Sequence, residues 1–516
     1  MSFTSVTYFL FVGISLLIYT IVPKRAKWCV LLGASAVYYV MAAGLRTLWL
    51  VAAILIVYGG GLLLGYLNDQ GKARRKAAAD KEEKKQIRKK YDAKKRAVVT
   101  VAVLGVFGLL IALKYVNFLG ESAYGIAGLF GSQSAYQPVQ ILLPLGISYY
   151  TLCAVSYVVD VYRGKYKPER NFFKLALFLS FFPQMTEGPI GKYEIMMPRL
   201  VEGHSFDFER DAQAVMRIFW GMFKKMVIAD RANLFVTGVF DNGDQAGSMV
   251  LLGTLLYTVQ IYCEFSGCMD IVCATGQLFG VEMQENFRRP IFSKTINEFW
   301  QRWHITLGAW IKEYVFFSVS LSKGLMNLSK HTRKKLNDYF ANLVPMTFAL
   351  FCVWFFNGIW HGASWKYVLY GLYYYILMMI GMYLRPVSDK LLHALHIAPE
   401  SKGFALFQMV RTFLIVNVGM MLFRCHTISQ WGQSLARIFT DFDGACLTNG
   451  TVLSLGNDWQ DFLIMGIGVL VVGIVEVLQE KGHTIRSELA RRPVVLRYAV
   501  SVSYTHLRAH ETLANL

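Results

Sequence analysis

Two histidines, His361 and His304, carry the strongest chemical signal in the sequence. His361 lies at the end of an apolar run that begins near Leu343, between Asn357 and Gly362. An ionisable group at membrane depth is costly and therefore marks a candidate functional site. A neutral imidazole can act as a general base. We interpret His361 as a candidate general base, although a histidine at a helix end can also bind the last carbonyl oxygens of its own helix.

His304 lies in segment 298–313, whose pattern predicts one amphipathic helix at the membrane surface. Six residues share its apolar face: Trp300, Trp303, His304, Leu307, Trp310 and Ile311. Five residues share its polar face: Gln301, Arg302, Thr306, Lys312 and Glu313. Burial disfavours a charged imidazole, so we expect His304 to be a neutral base near physiological pH. A structural histidine bound by a neighbouring carbonyl fits this segment equally well.

Three further side chains could support the chemistry. Asn357 precedes His361 by one helical turn, so it could hold the imidazole, line a polar cavity or donate to a developing oxyanion. Arg302 and Lys312 could bind the phosphate groups of a ligand or the acidic surface of a partner protein. A solvated helix face explains these two cations equally well.

The composition indicates a polytopic membrane protein that would hold these side chains on helices. The chain has 516 residues, 55% of them hydrophobic, with a mean hydropathy of +0.38. Since lipid offers no hydrogen bonds to the backbone and the apolar runs are too long for barrel strands, the fold class is all-α. The predicted spans are 3–22, 28–43, 45–67, 97–119, 138–162, 248–270, 342–361, 365–385, 404–423 and 461–479. The shorter apolar stretches are expected to be re-entrant or interfacial: 172–186, 213–229 and 231–240. The total is about 10–12 spans.

Charge predicts the orientation of these spans. Of the formal net charge of +19, segment 71–96 holds thirteen Lys or Arg against four Asp or Glu. Positively charged short loops stay on the cytoplasmic side, so this loop should be cytoplasmic. Threading the spans from it places His304 on the cytoplasmic side and His361 toward the opposite face. We expect the loop to be a partly helical segment near anionic lipid and not a nucleic-acid site, because Tyr91 is its one aromatic residue.

Other site chemistries have little support. The eight cysteines contain no CxxC pair, so we expect no metal site. Cys425 and Cys446 share a predicted external loop, which leaves a disulfide open. The sequence has no nucleophile elbow of the Gly-x-Ser-x-Gly type and no phosphate-binding Gly-x4-Gly-Lys-Ser/Thr motif.

Several motifs together resemble the membrane-bound O-acyltransferase family over about residues 1–480. They are Phe182-Pro183-Gln184, Glu187-Gly188-Pro189-Ile190, Glu264-Phe265-Ser266-Gly267-Cys268-Met269-Asp270, Glu285-Asn286-Phe287-Arg288-Arg289-Pro290, Glu298-Phe299-Trp300-Gln301-Arg302-Trp303-His304 and Gly358-Ile359-Trp360-His361-Gly362-Ala363-Ser364-Trp365. Their order is most similar to the bacterial branch that acetylates alginate or transfers D-alanine to teichoic acid. Cys268 and Ala309 depart from the residues common in relatives, which puts local tunnel shape in doubt.

The resemblance implies a central tunnel through which an acyl group passes from a cytoplasmic thioester to an extracytoplasmic hydroxyl. His361 matches the catalytic histidine and His304 the second histidine, with Trp300, Trp303, Trp360 and Asn357 as supporting residues. No bound cofactor is implied; acetyl-CoA or an acyl carrier protein would be the donor substrate. The implied partners are membrane lipid, an extracytoplasmic polysaccharide and an esterase-like acetyltransferase outside the membrane. The implied location is the bacterial inner membrane.

The sequence therefore predicts an O-acyltransferase, with acetyl transfer to a polysaccharide preferred. D-alanyl transfer to teichoic acid stays open, as does a glycan or lipid carrier or flippase. The predicted regions are N-terminal helices at 1–162, a catalytic core at 163–385 and C-terminal helices at 386–500. Residues 501–516 are too polar to continue a span that starts near 494, and we interpret them as a truncated or foreign tail.

Overall fold

The computed structural model describes residues 2–131, 134–243 and 245–490. These divide into two compact units. The first runs to Asp207 and includes Thr275–Gln284, and the second contains Phe208–Ala274 and the residues from Glu285 onward. The boundaries predicted at 162 and 385 separate a catalytic core from flanking helices by function, whereas these units are defined by compactness. The functional boundaries stay a prediction. The predicted tail at 501–516 lies outside the described residues.

The first unit consists of helices with long connections. Its helices are α1 (Val6–Ile21), α2 (Lys27–Ala43), α3 (Thr47–Ala77), α4 (Lys81–Leu110), α5 (Val116–Leu129), α6 (Ile147–Arg163), α7 (Phe172–Ser180) and α8 (Tyr193–Glu202). The basic segment 71–96 is helical apart from a short turn, and Asp80 caps α4 by accepting the backbone N–H of Glu83. Helices α3 and α4 therefore form a hairpin that carries this charge.

The second unit is also helical. Its helices are α9 (Phe208–Met222), α10 (Asp230–Asp241), α11 (Gly247–Leu278, whose last residues belong to the first unit), α12 (Ile296–Arg302), α13 (Ile305–Ile311), α14 (Phe317–Ser320), α15 (Lys323–Thr332), α16 (Asp338–His361), α17 (Trp365–Tyr383), α18 (Arg385–Ala394), α19 (Lys402–Arg424), α20 (Ile428–Thr440), α21 (Trp459–Glu480) and α22 (Ile485–Ala490). The described residues form no strand, and the β pairing recorded there is an isolated bridge between Phe287 and Trp303. The all-α prediction is confirmed.

Each predicted span has a helical counterpart. Within the described residues, six segments are long and apolar enough to cross a membrane, or seven if the bent pair α17 and α18 is one span. These six are Lys24–Ala77, Lys81–Leu129, Gly247–Leu278, Asp338–His361, Lys402–Arg424 and Trp459–Glu480. Six segments are fewer than the ten predicted spans. One reason is that Lys24–Ala77 contains two of the predicted spans, and another is that α1 is only 16 residues long. The protein is a multi-pass membrane protein.

Two predicted boundaries in the first unit were wrong. The span expected at 138–162 begins as a helix only at Ile147. The span expected to end at 119 continues through a π-helical turn, Ile111–Tyr115, to Leu129. Apolar runs do not reveal such ends, because an apolar residue is compatible with both a helix and a buried extended segment.

An aromatic core positions the candidate site within the second unit. It joins α12 to α16 and α17 through buried rings of Phe299, Trp303, Trp354, Tyr370 and Tyr374, and aliphatic residues of α19 such as Met420 belong to the same core. Helices α16 and α17 approach closely at two glycines, since a Cβ at Gly358 or at Gly371 would overlap a backbone carbonyl of the facing helix. This close packing fixes the end of α16, where His361 lies.

Candidate functional site

His361 is the last residue of α16 and lies among aromatic rings. Its ring centroid is 5.0 Å from that of Trp360, 5.4 Å from Phe423 and 5.9 Å from Tyr370, each in an edge-to-face arrangement. The residue is half-buried, and Gly362 follows in extended backbone. The helix end predicted for His361 is confirmed, and its imidazole remains partly accessible in an apolar surrounding.

His304 lies at a break in the helix that the sequence predicts as continuous. Helix α12 ends at Arg302, Trp303 is extended, and His304 has left-handed backbone angles (φ 48°, ψ 51°) before α13 begins. The prediction of one amphipathic helix over 298–313 was therefore wrong. The break is stabilised by the paired segment 286–288, because Arg288 N–H donates to Arg302 O (2.9 Å) and Ile305 N–H donates to Asn286 O (3.0 Å).

The break buries residues that the predicted helix would have left at the surface. His304 is 7% exposed and Thr306, expected on the polar face, is 4% exposed. The predicted apolar stripe is otherwise borne out by burial of Trp303, Leu307 and Trp310. His304 contacts the Phe265 ring at 4.9 Å and the Trp360 ring at 5.8 Å between centroids. It is an interior residue and not part of a surface helix.

Asn286 sets the orientation of His304. Its Oδ1 accepts from the backbone N–H of Thr306 (3.0 Å), from the Thr306 hydroxyl (2.9 Å) and from His304 Nδ1 (3.3 Å). A backbone N–H can only donate, so the atom facing Thr306 must be the amide oxygen. His304 Nδ1 therefore carries the proton, and Nε2 keeps its lone pair.

Burial, followed by the neighbouring His361, lowers the pKa of His304 to about 3. The imidazole is neutral at physiological pH. The same low pKa makes it a weak base, whereas an efficient general base has a pKa near the operating pH. His304 is thus better suited to holding a group by a hydrogen bond at Nε2 than to removing a proton.

Trp360 contacts both histidines. Its ring centroid is 5.8 Å from that of His304 and 5.0 Å from that of His361, so the two imidazole centroids are no further apart than the sum of these distances. The residues predicted for the site from two distant segments therefore form one constellation.

A cavity of about 540 Å³ borders His304. Its lining is mostly apolar and includes five of the predicted residues: Trp300, Trp303, His304, Lys312 and Asn357. Gly308, Ala309 and Lys312 are exposed, which places the cavity mouth beside α13. Arg302, Trp360 and His361 do not line it.

Two buried polar atoms at this cavity make no hydrogen bond. They are Oδ1 of Asn357, which is 7% exposed, and Nε1 of Trp300. Because an unpaired buried polar group costs about 1–3 kcal/mol, each such atom calls for an explanation. Of the roles expected for Asn357, the geometry favours cavity lining over holding the His361 ring.

The two predicted cations are in different environments. Arg302 binds Glu298 (2.8 Å) and Glu480 (3.1 Å), which ties α12 to the end of α21. Lys312 is exposed, and among the described residues it is the one charged side chain in the cavity lining. Lys312 is therefore placed to meet a ligand, whereas the charge of Arg302 is already neutralised by carboxylates.

The described residues form neither a metal-binding cluster nor a disulfide bond. No three His, Cys, Asp or Glu side chains within the described ranges could hold a metal ion. Cys425 and Cys446, which the sequence left open as a disulfide pair, are not joined by a disulfide bond.

Some residues of this region were missed at the sequence level. Asn286 lies in a quoted motif but is one polar residue among several, and its role follows only from the break at His304. Arg217 and Lys224 were not singled out, yet both are buried and bind Asp270 at 2.7 Å. An arginine and a lysine in otherwise apolar stretches of α9 and the following turn were the available signal.

Comparison with known proteins identifies the family of this chain. A model of the membrane-bound O-acyltransferase family matches residues 169–332, which include Asn286 and His304. The probable alginate O-acetylase AlgI of Azotobacter vinelandii is 30% identical over 438 residues, which cover 85% of this chain and 77% of that protein.

Two other relatives are named for different acceptor polymers. The peptidoglycan O-acetyltransferase of Helicobacter pylori is 29% identical over 56% of this chain and 56% of its own length. The teichoic acid D-alanyltransferase of Bacillus subtilis is 26% identical over 56% of this chain and 71% of its own length. The chain therefore belongs to the membrane-bound O-acyltransferase family and is an O-acyltransferase.

Proposed function

We propose that the protein moves an acetyl group from a thioester on the cytoplasmic side to a hydroxyl of an extracytoplasmic polysaccharide, or to a protein that relays it there. The observation that carries the proposal is the constellation of His304, Trp360 and His361 beside an apolar cavity. A bacterial inner-membrane location follows from this direction of transfer. An esterase-like acetyltransferase outside the membrane is the proposed relay.

The cavity suits the arm of a thioester donor. The pantetheine arm of coenzyme A or of a carrier protein is a flexible chain that contains secondary amides. Asn357 Oδ1 can accept an amide N–H, and Trp300 Nε1 can donate to an amide carbonyl. The two unpaired atoms thus match the secondary amide groups of the pantetheine arm, which supports a thioester as donor.

His361 is the proposed general base. It takes the proton of the acceptor hydroxyl while the oxygen attacks the thioester carbonyl. The tetrahedral intermediate collapses, the C–S bond breaks, and the departing sulfur takes a proton from the His361 imidazolium. The products are an ester and a free thiol, so atoms and charge balance and His361 is regenerated as a neutral base.

His304 is proposed as a positioning partner on the donor side. Its lone pair at Nε2 can accept one hydrogen bond, and Asn286 prevents the ring from turning. The Trp360 ring contacts both His304 and His361, so its indole can restrict the path of the acyl group. A fixed, neutral environment of this kind holds the reacting groups in place and lowers the cost of reaching the transition state.

The lining of the cavity favours acetyl over D-alanyl. A D-alanyl thioester carries an ammonium group, which would need a carboxylate or several acceptors when removed from water. Among the described residues, those that line the cavity include one Lys and no Asp or Glu. An uncharged acetyl group meets no such cost.

The relatives support a polysaccharide acceptor. Two of those named above carry O-acetyl transfer in their names, one to alginate and one to peptidoglycan. Both polymers lie outside the cytoplasmic membrane, and both present secondary or primary hydroxyls. We extend this acceptor class to the present chain as part of the proposal, without choosing between the two polymers.

The test is acetyl transfer in membranes that contain the intact protein. Radiolabelled acetyl-CoA is supplied, and two products are measured: free thiol and label on extracytoplasmic glycan. We expect both products from the intact protein and neither from His361→Gln. His393→Gln is the matched control, because His393 is exposed on α18, away from the cavity lining.

Two other results would redirect the assignment. Thiol release only from a D-alanyl carrier protein would replace acetyl by D-alanyl. Glycan or lipid movement without thiol release, unaffected by His361→Gln, would point to a carrier or flippase and contradict the proposal.

A further inference from the structure

Helix α15 and the residues that follow it form a basic surface beside a membrane-spanning helix. Segment 314–337 holds five Lys or Arg and no Asp or Glu; the five are Lys323, Lys330, Arg333, Lys334 and Lys335. All five side chains are exposed, and among the described residues none of them makes an ion pair. Their charge is therefore not compensated by the protein, which suits an anionic partner.

The outward face of α15 also presents apolar groups among these cations. At about 100° per residue, Lys323, Met326 and Lys330 share one stripe of the helix, and all three are exposed. Leu321 and Leu336, which lie just outside the two ends of the helix, are exposed as well. A helix that combines lysine with large apolar side chains on its exposed face is typical of one that lies on a lipid surface.

The opposite face of α15 packs against the start of α16. Leu325 and Leu328 are half-buried and Thr332 is buried, so these three residues point inward. The Thr332 hydroxyl lies within hydrogen-bonding distance of Ala341 O (3.0 Å), in the first turn of α16. Helix α16 begins at Asp338 and is long and apolar enough to cross a membrane. This packing therefore holds α15 at the level of the membrane surface.

The chain between the His304 cavity and α15 is short. Lys312 and Phe316 line the cavity and are the ends of a π-helical turn that continues directly into α14. Two residues separate α14 from α15, and one of them, Ser322, caps α15 by accepting a backbone N–H of its first turn. A ligand that fixes the start of α15 therefore also restrains this wall of the cavity mouth.

We propose that α15 binds anionic phospholipid of the cytoplasmic leaflet, with headgroup phosphates at Lys323 and Lys330 and with Met326 among the acyl chains, and that this lipid promotes turnover. The charge pattern predicts the cytoplasmic side for this segment. Lysine attracts anionic headgroups while its methylene stem covers apolar surface.

The exposed apolar side chains favour lipid over an acidic soluble protein as the partner. Such a protein would neutralise the cations, but Leu321, Met326 and Leu336 lie where a membrane can cover them. Lipid bound at the start of α15 restrains the cavity wall that contains Lys312 and Phe316. The effect on turnover rests on the proposed function, whereas the binding of lipid does not.

The first test measures hydrogen exchange of the full-length protein in two kinds of lipid nanodisc. One contains phosphatidylcholine alone, and the other contains equal parts of phosphatidylcholine and phosphatidylglycerol. For the unaltered protein, backbone amides of α14 and α15 should exchange roughly tenfold more slowly with phosphatidylglycerol, because the bound lipid opposes local opening. Because exchange is read locally, lipid bound at the basic segment 71–96 does not affect this result.

Two double variants complete the first test. Lys323→Gln with Lys330→Gln should lose most of this protection. Lys390→Gln with Lys402→Gln is the matched control, because it removes two exposed charges from α18 and α19 and should keep the protection. Equal exchange of the unaltered protein in the two nanodiscs would overturn the proposal, as would equal protection of the first double variant. Protection by inorganic phosphate in phosphatidylcholine would overturn it in favour of a general anion site.

The second test measures thiol release from acetyl-CoA in the same nanodiscs. We expect phosphatidylglycerol to favour kcat/KM several-fold more for the unaltered protein than for Lys323→Gln with Lys330→Gln. Both proteins meet the same lipid charge, so repulsion of the anionic donor cancels in this comparison. Equal dependence of the two proteins on phosphatidylglycerol would overturn the proposal. No thiol release in either nanodisc, with the protection of α15 intact, would instead contradict the proposed function and leave lipid binding in place.

Discussion

The two histidines occupy opposite kinds of local structure. His361 ends a regular helix of 24 residues and is half-buried among aromatic rings. His304 interrupts a helix, has a left-handed backbone and is almost fully buried. Residues other than glycine rarely adopt that conformation, which costs about 1–3 kcal/mol and persists only where neighbours impose it. His361 is thus partly accessible, whereas His304 is held in one orientation and its pKa is lowered by burial.

This contrast separates two roles within one site. A general base must gain and lose a proton during each turnover, which a partly accessible imidazole can do. A positioning group must keep one orientation, which the hydrogen bond from His304 to Asn286 provides. The predictions below test this division, from the largest expected effect to the smallest.

The largest effect is expected from His361→Asn. Loss of a general base lowers the rate by about 10²- to 10⁴-fold, so kcat should fall within this range. The same substitution at His304 should lower kcat by about tenfold, because one hydrogen bond that positions the donor is lost. The general base, His361, is still present in this variant. The measurement is kcat for thiol release at saturating acetyl-CoA.

Asparagine is the right substitution for this pair because it tolerates left-handed backbone better than alanine does. Both variants should therefore fold and elute like the unaltered protein on size-exclusion chromatography. Equal losses of kcat at the two positions would contradict the division of roles.

The next effect concerns Asn286. Asn286→Ala removes the acceptor that holds the His304 ring, so kcat should fall by no more than the roughly tenfold loss expected for His304→Asn. Asn286→Asp keeps an oxygen in that place and should restore most of the rate at neutral pH. Its carboxylate raises the pKa of His304, so its rate should fall more than that of the unaltered protein when the pH is lowered.

A purely structural Asn286 would give a different result. In that case Asn286→Asp would lower thermal stability and rate together at every pH, and the pH–rate profile would keep its shape.

A third effect is the pH dependence of stability. The folded-state pKa of His304 is about 3, below its ordinary value of 6.5. The unfolded chain therefore binds a proton below pH 6.5 that the folded chain does not, so the contribution of His304 is complete above pH 6.5 and is lost as the pH falls toward 3. At pH 5 the loss is about 2 kcal/mol.

The measurement is the thermal midpoint in detergent at pH 7 and at pH 5. The unaltered protein should lose a few degrees more than His304→Asn on acidification. The control is His393→Asn, which should behave like the unaltered protein. Identical shifts for all three proteins would show that His304 is not buried as described.

The smallest effects are expected from the two predicted donor-binding cations. Lys312→Ala should change kcat/KM by less than about fivefold, because an exposed charge contributes about 0–1 kcal/mol. Arg302→Ala should leave KM unchanged and lower the thermal midpoint slightly, because its side chain binds Glu298 and Glu480. A larger effect of Arg302→Ala on KM than on stability would contradict the structural role.

Long apolar runs predicted much of the fold, whereas the orientation predicted from charge stays a prediction. Runs such as 342–361 and 461–479 correspond to α16 and α21, because twenty apolar residues in lipid have few alternatives to a helix. His361 was placed correctly at its helix end for the same reason. The start of α6 was missed, since the residues before Ile147 are equally apolar but not helical.

The environment of His304 was beyond the reach of local sequence pattern. Segment 298–313 has good helical periodicity, and its break depends on pairing with residues 286–288, which lie more than ten positions earlier. Tertiary contacts of this kind override local preference. The burial of Thr306, the role of Asn286 and the neutralisation of Arg302 all follow from that one long-range pairing.

The most direct test of the central claim is transfer across a sealed membrane. Inside-out vesicles are given radiolabelled acetyl-CoA on their outer, cytoplasmic face, and thiol outside is measured together with ester-linked label in the lumen. The account predicts both products from the unaltered protein, near-complete loss with His361→Asn and partial loss with His304→Asn. Lumenal label without thiol release, or equal transfer by His361→Asn, would contradict it.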